Sequence, residues 1–270
     1  MSMDKAGKEF WEASWAASRP PDSVDPLRQG LTSYVHGRFD KYFRKVFAGA
    51  ETRRAKLIEI GCARSLWLPF FATEFGFEVT GLDYSERGCQ QEREILARAG
   101  VEGEVVCADF FSPPESLLGS FDVVVSLGVA EHFTDTPDCI KAFARFLKPG
   151  GLMLTSIPNM KGLPGLLARR FNRAFYDVHV PLDAQALAGA HAAAGLNVLE
   201  CDNFMSSNFG VCSLEGIKER SAEWLAKKSI LALLVRLSWL AWIVEDKTGG
   251  QLKPNRLTSP YINCVARKQL

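Results

Sequence analysis

The segment Leu57–Ser85, LIEIGCARSLWLPFFATEFGFEVTGLDYS, constrains this chain more than any other stretch. A short apolar strand ends at Ile60, and the backbone turns at Gly61–Cys62–Ala63–Arg64–Ser65 into a helix over Leu66–Phe75. A second strand, Glu78–Leu82, then delivers Asp83. Small residues at 61, 63 and 65 let the backbone pass close to a ligand at the helix N-terminus. In open α/β sheets, ligands sit beyond the carboxyl ends of the strands, where the winding reverses. An acidic residue about 20 positions after such a turn accepts hydrogen bonds from both hydroxyls of a ribose, and the step from Gly61 to Asp83 fits.

The rest of the chain extends this pattern. Helix is expected over Ser85–Ala99 and Thr136–Leu147, and strands over Glu104–Ala108, Phe121–Ser126 and Leu152–Ser156. An Ala-rich helix over Leu182–Gly195 leads to a sixth strand, Asn197–Asn203, and Tyr261–Arg267 forms a seventh. FDVVVS is apolar throughout, as in a strand buried on both faces. Strands alternating with helices at this spacing predict an α/β fold, a doubly wound, mostly parallel seven-stranded sheet. Residues 1–54 read as helical with a break at Arg19–Pro20–Pro21, and residues 158–181 as loop-rich. The expected organisation is one domain: an N-terminal helical lid over 1–54, a core over 55–205 and 251–270, and a helical insertion over 206–250 between the last two strands.

Composition excludes several classes. With 47% hydrophobic and 23% charged residues, the chain can bury a sizeable core. Its 32 Lys and Arg against 31 Asp and Glu give no support for the basic face that nucleic acid requires, so no nucleic-acid partner is expected. The 7 cysteines form no CxxC pair and no zinc-like cluster with histidine; no metal is expected, and the odd count suits a reducing cytoplasm. The longest apolar run, Ile230–Val244, contains Arg236 and Ser238 and falls short of the roughly 20 residues of a membrane span.

On these residues the chain resembles the class I (Rossmann-like) S-adenosylmethionine-dependent methyltransferases, small-molecule type. Their first motif, E/D-x-G-x-G-x-G, is matched by Glu59-Ile60-Gly61-Cys62-Ala63-Arg64-Ser65, with small residues replacing two glycines. Asp83 of GLDYS, Ala108-Asp109-Phe110, SLGVAEHF (Ser126–Phe133) and LKPGG (Leu147–Gly151) match later landmarks in order and spacing across roughly 56–157. The resemblance implies S-adenosylmethionine as cofactor and S-adenosylhomocysteine as product. It places Glu59, Gly61, Cys62 and Ala63 at the methionine end, Asp83 and Tyr84 at the ribose, and Asp109 and Phe110 at the adenine. Leu127 and Gly128 follow strand four beside the same cofactor. A nicotinamide dinucleotide would want G-x-G-x-x-G, and the bulky Leu66 at the third position disfavours it.

Histidines supply the expected catalytic groups. His132 follows strand four, where a neutral imidazole can serve as general base or hold the loop that shapes the pocket. His179, in the connection after strand five, is the second candidate; His191 reads as ordinary and His36 as part of a covering helix. Trp11 and Trp15 share one helical face, to contact substrate or to dock the helix. Tyr34, Asn159, Tyr176, Asn203, Asn208 and Phe209 complete the expected acceptor pocket. The helix around 224–244 is apolar on nearly all sides and must be buried. Own-domain packing ranks first, a homodimer through this helix second, and a lipidic substrate third.

The leading reading is methyl transfer to an O, N or S atom of a small-molecule substrate. Ser126, Gly128, Glu131 and His132 also match the S-x-G-x-x-E-H segment of cyclopropane fatty-acid synthases, which leaves a C-methyltransferase on a lipidic or isoprenoid substrate as an alternative. A non-catalytic binding protein on the same fold is the third.

Overall fold

The computed structural model describes residues 3–16, 19–28, 30–212, 214, 220–250 and 252–270; residues 213 and 215–219 of the expected insertion lie outside the described residues. Seven strands form one sheet: β1 (Lys56–Ile60), β2 (Glu78–Asp83), β3 (Gly103–Cys107), β4 (Phe121–Leu127), β5 (Leu147–Pro158), β6 (Leu196–Phe204) and β7 (Tyr261–Lys268). Their order is β3-β2-β1-β4-β5-β7-β6, parallel through β5, with β7 antiparallel to both neighbours. The expected α/β sheet is present.

Helices α1 (Lys8–Ala16), α2 (Tyr34–Val46), α3 (Leu68–Phe75), α4 (Glu86–Ala99) and α5 (Thr136–Ala144) surround its first half. Then come α6 (Leu163–Phe171), α7 (Arg173–Asp177), α8 (Ala184–Ala193) and α9 (Ala222–Thr248). One face of the sheet buries Ile140, Phe143 and Leu187 from α5 and α8 against Ile58, Val124 and Met153. The other buries Phe39 and Phe43 from α2 and Phe70 and Phe71 from α3 against Leu57, Val125 and Leu154. Residues 1–54 therefore divide: α2 belongs to the core, and only the segment through α1 covers the sheet edge. Aromatic residues at every fourth position along α2 (Phe39, Phe43 and, just beyond, Phe47) put one apolar stripe on the sheet.

Local signals set most helix ends. Ser85, Asp135 and Asp183 each accept an N–H from the first turn of α4, α5 and α8. Gly76 and Gly100 close α3 and α4 in the left-handed region. Three expectations fail. The helix expected over Thr136–Leu147 stops at Ala144, because the Arg145 and Phe146 carbonyls accept the N–H groups of Gly119 and Ser120 at 2.8 and 3.0 Å. The stretch expected to be loop-rich holds α6 and α7; Pro164 stands in the first turn of α6, and the Asn172 side chain caps α7.

The third failure is α9. It was expected to be buried within its own domain, yet only Leu231, Ser238, Trp242 and Glu245 are buried. Trp242 stacks on Tyr34 with ring centroids 4.7 Å apart, and the Tyr34 hydroxyl bonds to Glu245. Among the described residues no helix is long and apolar enough to cross a membrane.

Phe43 is the test of the α2–sheet packing: fully buried, it meets Phe71 and Trp67 with ring centroids 4.9 and 5.0 Å away. Phe43→Ala should cost about 3–5 kcal/mol in urea unfolding. A loss under about 1 kcal/mol would mean that α2 is not part of the core.

Candidate functional site

The turn after β1 is shaped by contacts that leave little freedom. Gly61 has φ 78°, and a Cβ there would lie 2.2 Å from Val129 Cγ2. Its N–H donates to the Leu82 carbonyl at 2.8 Å, tying the turn to β2. Arg64 adopts φ 59°, uncommon for a residue with a side chain. Its guanidinium lies 5.2 Å from the Trp15 ring and donates to the Arg19 carbonyl at 3.0 Å.

Ser65, where the motif has a glycine, has a task of its own. Its hydroxyl donates to Glu59 Oε2 at 2.7 Å and accepts the Trp67 and Leu68 N–H groups, each at 3.0 Å. Its backbone N–H donates to Glu92 Oε2 at 2.7 Å. One serine thus joins the end of β1, the start of α3 and the middle of α4.

Beyond the strand ends lies an open cavity walled by the turn after β1, the ends of β2 and β4, and the N-terminal segment. Of the expected cofactor residues, Gly61, Ala63, Asp83, Tyr84, Phe110, Leu127 and Gly128 line it, and so do Trp11, Trp15 and His132. Asp83 Oδ2 accepts the Ala63 N–H at 3.1 Å and Oδ1 the Ser85 N–H at 2.8 Å, so the carboxylate is fixed with lone pairs to spare. A second cavity shares the wall of Gly61, Ala63, Leu127 and Gly128 and adds Glu59, Phe39, Trp67, Ser156 and Tyr261.

The N-terminal segment closes over the first cavity. Asp4 bridges to Phe133 and accepts the Tyr84 hydroxyl at 2.6 Å. Glu12 on α1 accepts the N–H groups of Glu86 and Arg87 at 2.6 and 3.3 Å, occupying orphan donors at the start of α4. Trp11 and Trp15 stack 5.2 Å apart, and Trp11 meets the edge of His132 at 5.1 Å.

Several expected residues stand elsewhere. Cys62 is buried beneath the turn, against Gly81, and faces neither cavity. Asp109 is exposed between Ala108 and Phe110, which line the first cavity; its Oδ1 accepts the Phe111 N–H at 2.9 Å, and its Oδ2 is not used in that bond. Tyr34 serves α9, as described above. Asn159 donates to the Arg256 and Ser259 carbonyls, both at 3.0 Å, and accepts from Gly162, which uses it up in pinning a loop. Asn208 caps the turn at Phe209–Val211, and Tyr176 on α7 lines neither cavity. His191 is a buried structural histidine, held by Thr155 at 3.0 Å and Leu187 at 2.9 Å. The second cavity instead draws on Phe39 of α2, Trp67, the end of β5 and Tyr261 of β7. Only the strand ends were visible in the sequence.

His132 and His179 come together, ring centroids 4.6 Å apart. Their Nδ1 atoms bond to the Val178 and Phe175 carbonyls at 2.8 and 2.7 Å. A carbonyl only accepts, so Nδ1 carries the proton and Nε2 is bare in both neutral rings. Burial lowers both pKa values, that of His179 to about 3.

The carboxyl groups are displaced the other way. Burial raises Glu59 to about 8, Glu92 to about 9 and Asp83 to about 6. No lysine or arginine is a partner to any of the three among the described residues.

Comparison with known proteins places this geometry. A family model described as "Methyltransferase domain" matches residues 33–201. The chain belongs to that family. It is 29% identical over 141 residues to a ubiquinone biosynthesis O-methyltransferase from Idiomarina loihiensis, covering 52% of each, so it spans about half the length of that relative. Among solved structures it is similar to a putative sarcosine dimethylglycine methyltransferase from Galdieria sulphuraria (TM-score 0.61, 19% identity, 97% of this chain and 98% of that one). It is also similar to a geranyl diphosphate C-methyltransferase from Streptomyces coelicolor (TM-score 0.60, 14% identity, 97% of each chain). At these identities the structural likeness speaks for the fold.

S-adenosylmethionine, the cofactor of such enzymes, fits the residues present. Asp83 offers a fixed acceptor for ribose hydroxyls, Phe110 an apolar wall for adenine, and Gly61 and Ala63 a wall with little side chain to block the approach. Glu59, buried beyond that turn and without a cation, matches a ligand whose methionine end carries positive charge.

Binding should therefore follow pH. As pH rises through about 8 Glu59 ionises, so the affinity of cationic S-adenosylmethionine should strengthen between pH 6 and 9, and that of S-adenosylhomocysteine less. Asp83→Asn should weaken both about tenfold or more. Calorimetric titration checks this; affinities flat with pH and indifferent to Asp83 would refute the assignment.

Proposed function

We propose that the chain transfers a methyl group from S-adenosylmethionine to an O, N or S atom of a small-molecule metabolite. The observation that carries this reading is the family's turn, folded around Gly61 and Asp83, with buried carboxyl groups that no lysine or arginine among the described residues pairs with. The similarity to ubiquinone biosynthesis O-methyltransferases supports oxygen as the acceptor atom. A net charge of +1 gives no support for a nucleic-acid substrate. Seven free cysteines support a reducing, cytoplasmic setting.

When bound, the cofactor supplies the electrophilic methyl of its sulfonium. The chain's own contribution is position and dryness. Asp83 and Phe110 hold the nucleoside end, and Gly61, Ala63 and Glu59 the methionine end. Trp11 and Trp15 cover the first cavity and keep water out. The second cavity meets the first along Gly61 and Gly128, and its Phe39, Trp67 and Tyr261 rings suit an acceptor with a flat or apolar body. His132 shares the wall of the first cavity with Gly128, so where the two cavities meet it, rather than His179, can orient the acceptor or take its proton; burial keeps its ring neutral.

The test is incubation of the protein with methyl-labelled cofactor and a cell extract, followed by mass analysis of the labelled product. A heteroatom-bound methyl on a small molecule is expected, with turnover reduced about 100-fold by His132→Ala. Label fixed in a lipid carbon chain would overturn the heteroatom reading. Failure to bind either cofactor form at about 100 μM would overturn catalysis altogether.

A further inference from the structure

Beside the first cavity, two histidines and a carboxylate from separate segments meet. Glu131 and His132 form the end of a short 3-10 turn after β4, and His179 follows α7. All three are buried, at 1%, 4% and 4% exposure. One donor atom from each lies within 4.8 Å of the other two, and His132 Nε2 is 3.8 Å from Glu131 Oε1.

Glu131 poses the problem. Its Oε2 is buried with no hydrogen-bond partner, a costly state for a carboxylate. The hydrogen bonds around it hold the two imidazoles in one state. Both Nδ1–H groups are spent on backbone carbonyls, which orients each ring and leaves Nε2 with its lone pair free. That is the arrangement in which a metal-ligating histidine is usually held. The frame is already built. Val180 N–H donates to the Glu131 carbonyl, Lys5 Nζ to the His179 carbonyl, and His132 to Val178, so the strap over 175–180 is tied to the turn before any ion enters.

We propose that Glu131, His132 and His179 bind a divalent transition-metal ion at the wall of the first cavity. Two imidazole nitrogens and one carboxylate oxygen suit Zn²⁺, Co²⁺, Mn²⁺ or Fe²⁺, whereas Mg²⁺ and Ca²⁺ prefer oxygen ligands. Ligand atoms around such an ion stand about 3.3 Å apart, so the three side chains need close by roughly 0.5–1.5 Å. Three protein ligands leave a coordination position for a further group. His132 is the ligand that also lines the cavity. This site goes beyond the methyl-transfer reading and does not depend on it; in the metal-bound protein the imidazoles are ligands, not bases.

The experiment uses the full chain, stripped with chelator and titrated with Co²⁺ by visible absorption and with Zn²⁺ by calorimetry. One ion per chain is expected, with affinity reduced at least tenfold in both His179→Ala and Glu131→Gln. S-adenosylhomocysteine binding is measured on the same samples as the check of fold, which separates a failed metal site from a failed cofactor site. No uptake at about 100 μM metal would overturn the proposal. So would uptake left unchanged in both variants, because the ion would then sit on cysteines or on the surface.

Helix α9 carries a second inference. Ile230, Leu233, Leu237, Leu240 and Val244 repeat at spacings of three and four residues along its bare side, the period of a helix-pairing seam. Each is about half exposed or more, from 48% for Ile230 to 58% for Leu233 and Leu240, with Leu225 and Trp239 beside them. We infer that this seam pairs with the same seam of a second copy of the chain. Two helices of this length meeting along it would bury roughly 1,000 Å² or more in total, enough for a specific dimer. An anionic lipid surface is the poorer fit: Glu223 pairs with Lys227, and the remaining Lys228, Arg236 and Lys247, with Asp246 among them, fall short of the roughly four to eight basic residues such a surface selects.

Sedimentation equilibrium should give twice the chain mass, and Leu233→Glu with Leu240→Glu should give the monomer with cofactor binding retained. A wild-type monomer at about 100 μM would overturn the inference. Co-sedimentation of that monomer with phosphatidylglycerol vesicles would assign the seam to lipid instead.

Discussion

Burying a carboxyl group away from water and from any cation disfavours its charged form, and this chain does it three times around one turn. Glu59 ends β1, Asp83 ends β2, and Glu92 reaches in from α4, all of them at most 7% exposed. The backbone N–H groups of Ala63, Ser65 and Ser85 and the hydroxyl of Ser65 are spent on them. The carboxyl groups and the turn therefore support each other: the turn supplies the carboxyl groups' donors, and Asp83 is the acceptor of the Ala63 N–H. From that knot follow the start of α3, the seat of α4 and the opening of both cavities.

The cover over the first cavity is held differently. Helix α1 contributes no fully buried residue, so its attachment rests on rings and polar contacts: Glu12 on the first turn of α4, Trp15 under Arg64, and Asp4 on Tyr84. Such an element has far less burial to lose on opening than α2, which is fixed by Phe39 and Phe43 in the core. A rigid cradle beneath a lightly attached cover is what exchange of a bound nucleoside needs.

What the sequence made legible follows the same division. Periodicity found every strand to within two residues except β5, whose start the LKPGG turn signal concealed, because strands in a two-layered sheet are apolar runs between breakers. The motif located most of the cavity wall, since Gly61, Asp83 and Gly128 are fixed by backbone geometry. It failed where a side chain's task is set by a distant partner. Tyr34 and Asn159 are polar residues in plausible places, but Glu245 claims one, and two carbonyls near residue 257 claim the other. The meeting of His179 with Glu131 and His132 had no local signal at all, because it depends on how α6 and α7 return the chain to the sheet edge. Helix α9 was misread for the opposite reason: its composition is that of a buried helix, and composition cannot say which molecule does the burying.

The charge of the turn also bears on which nucleoside belongs there. A dinucleotide presents a pyrophosphate to this point of the fold, and its two negative charges would face Glu59 and Glu92 with no lysine or arginine paired to either. In that company the carboxyl groups would stay protonated. A sulfonium and an ammonium reverse every sign: they draw the same carboxyl groups into their ionised form, and each interaction then strengthens the next. Ser65 in place of a glycine fits the same logic. A pyrophosphate needs bare backbone N–H groups at this helix start, whereas here they are already given to Glu92 and to the serine's own hydroxyl. The departure from glycine at this position is thus a consequence of holding carboxylates rather than phosphates, and it favours a cationic nucleoside over an anionic one.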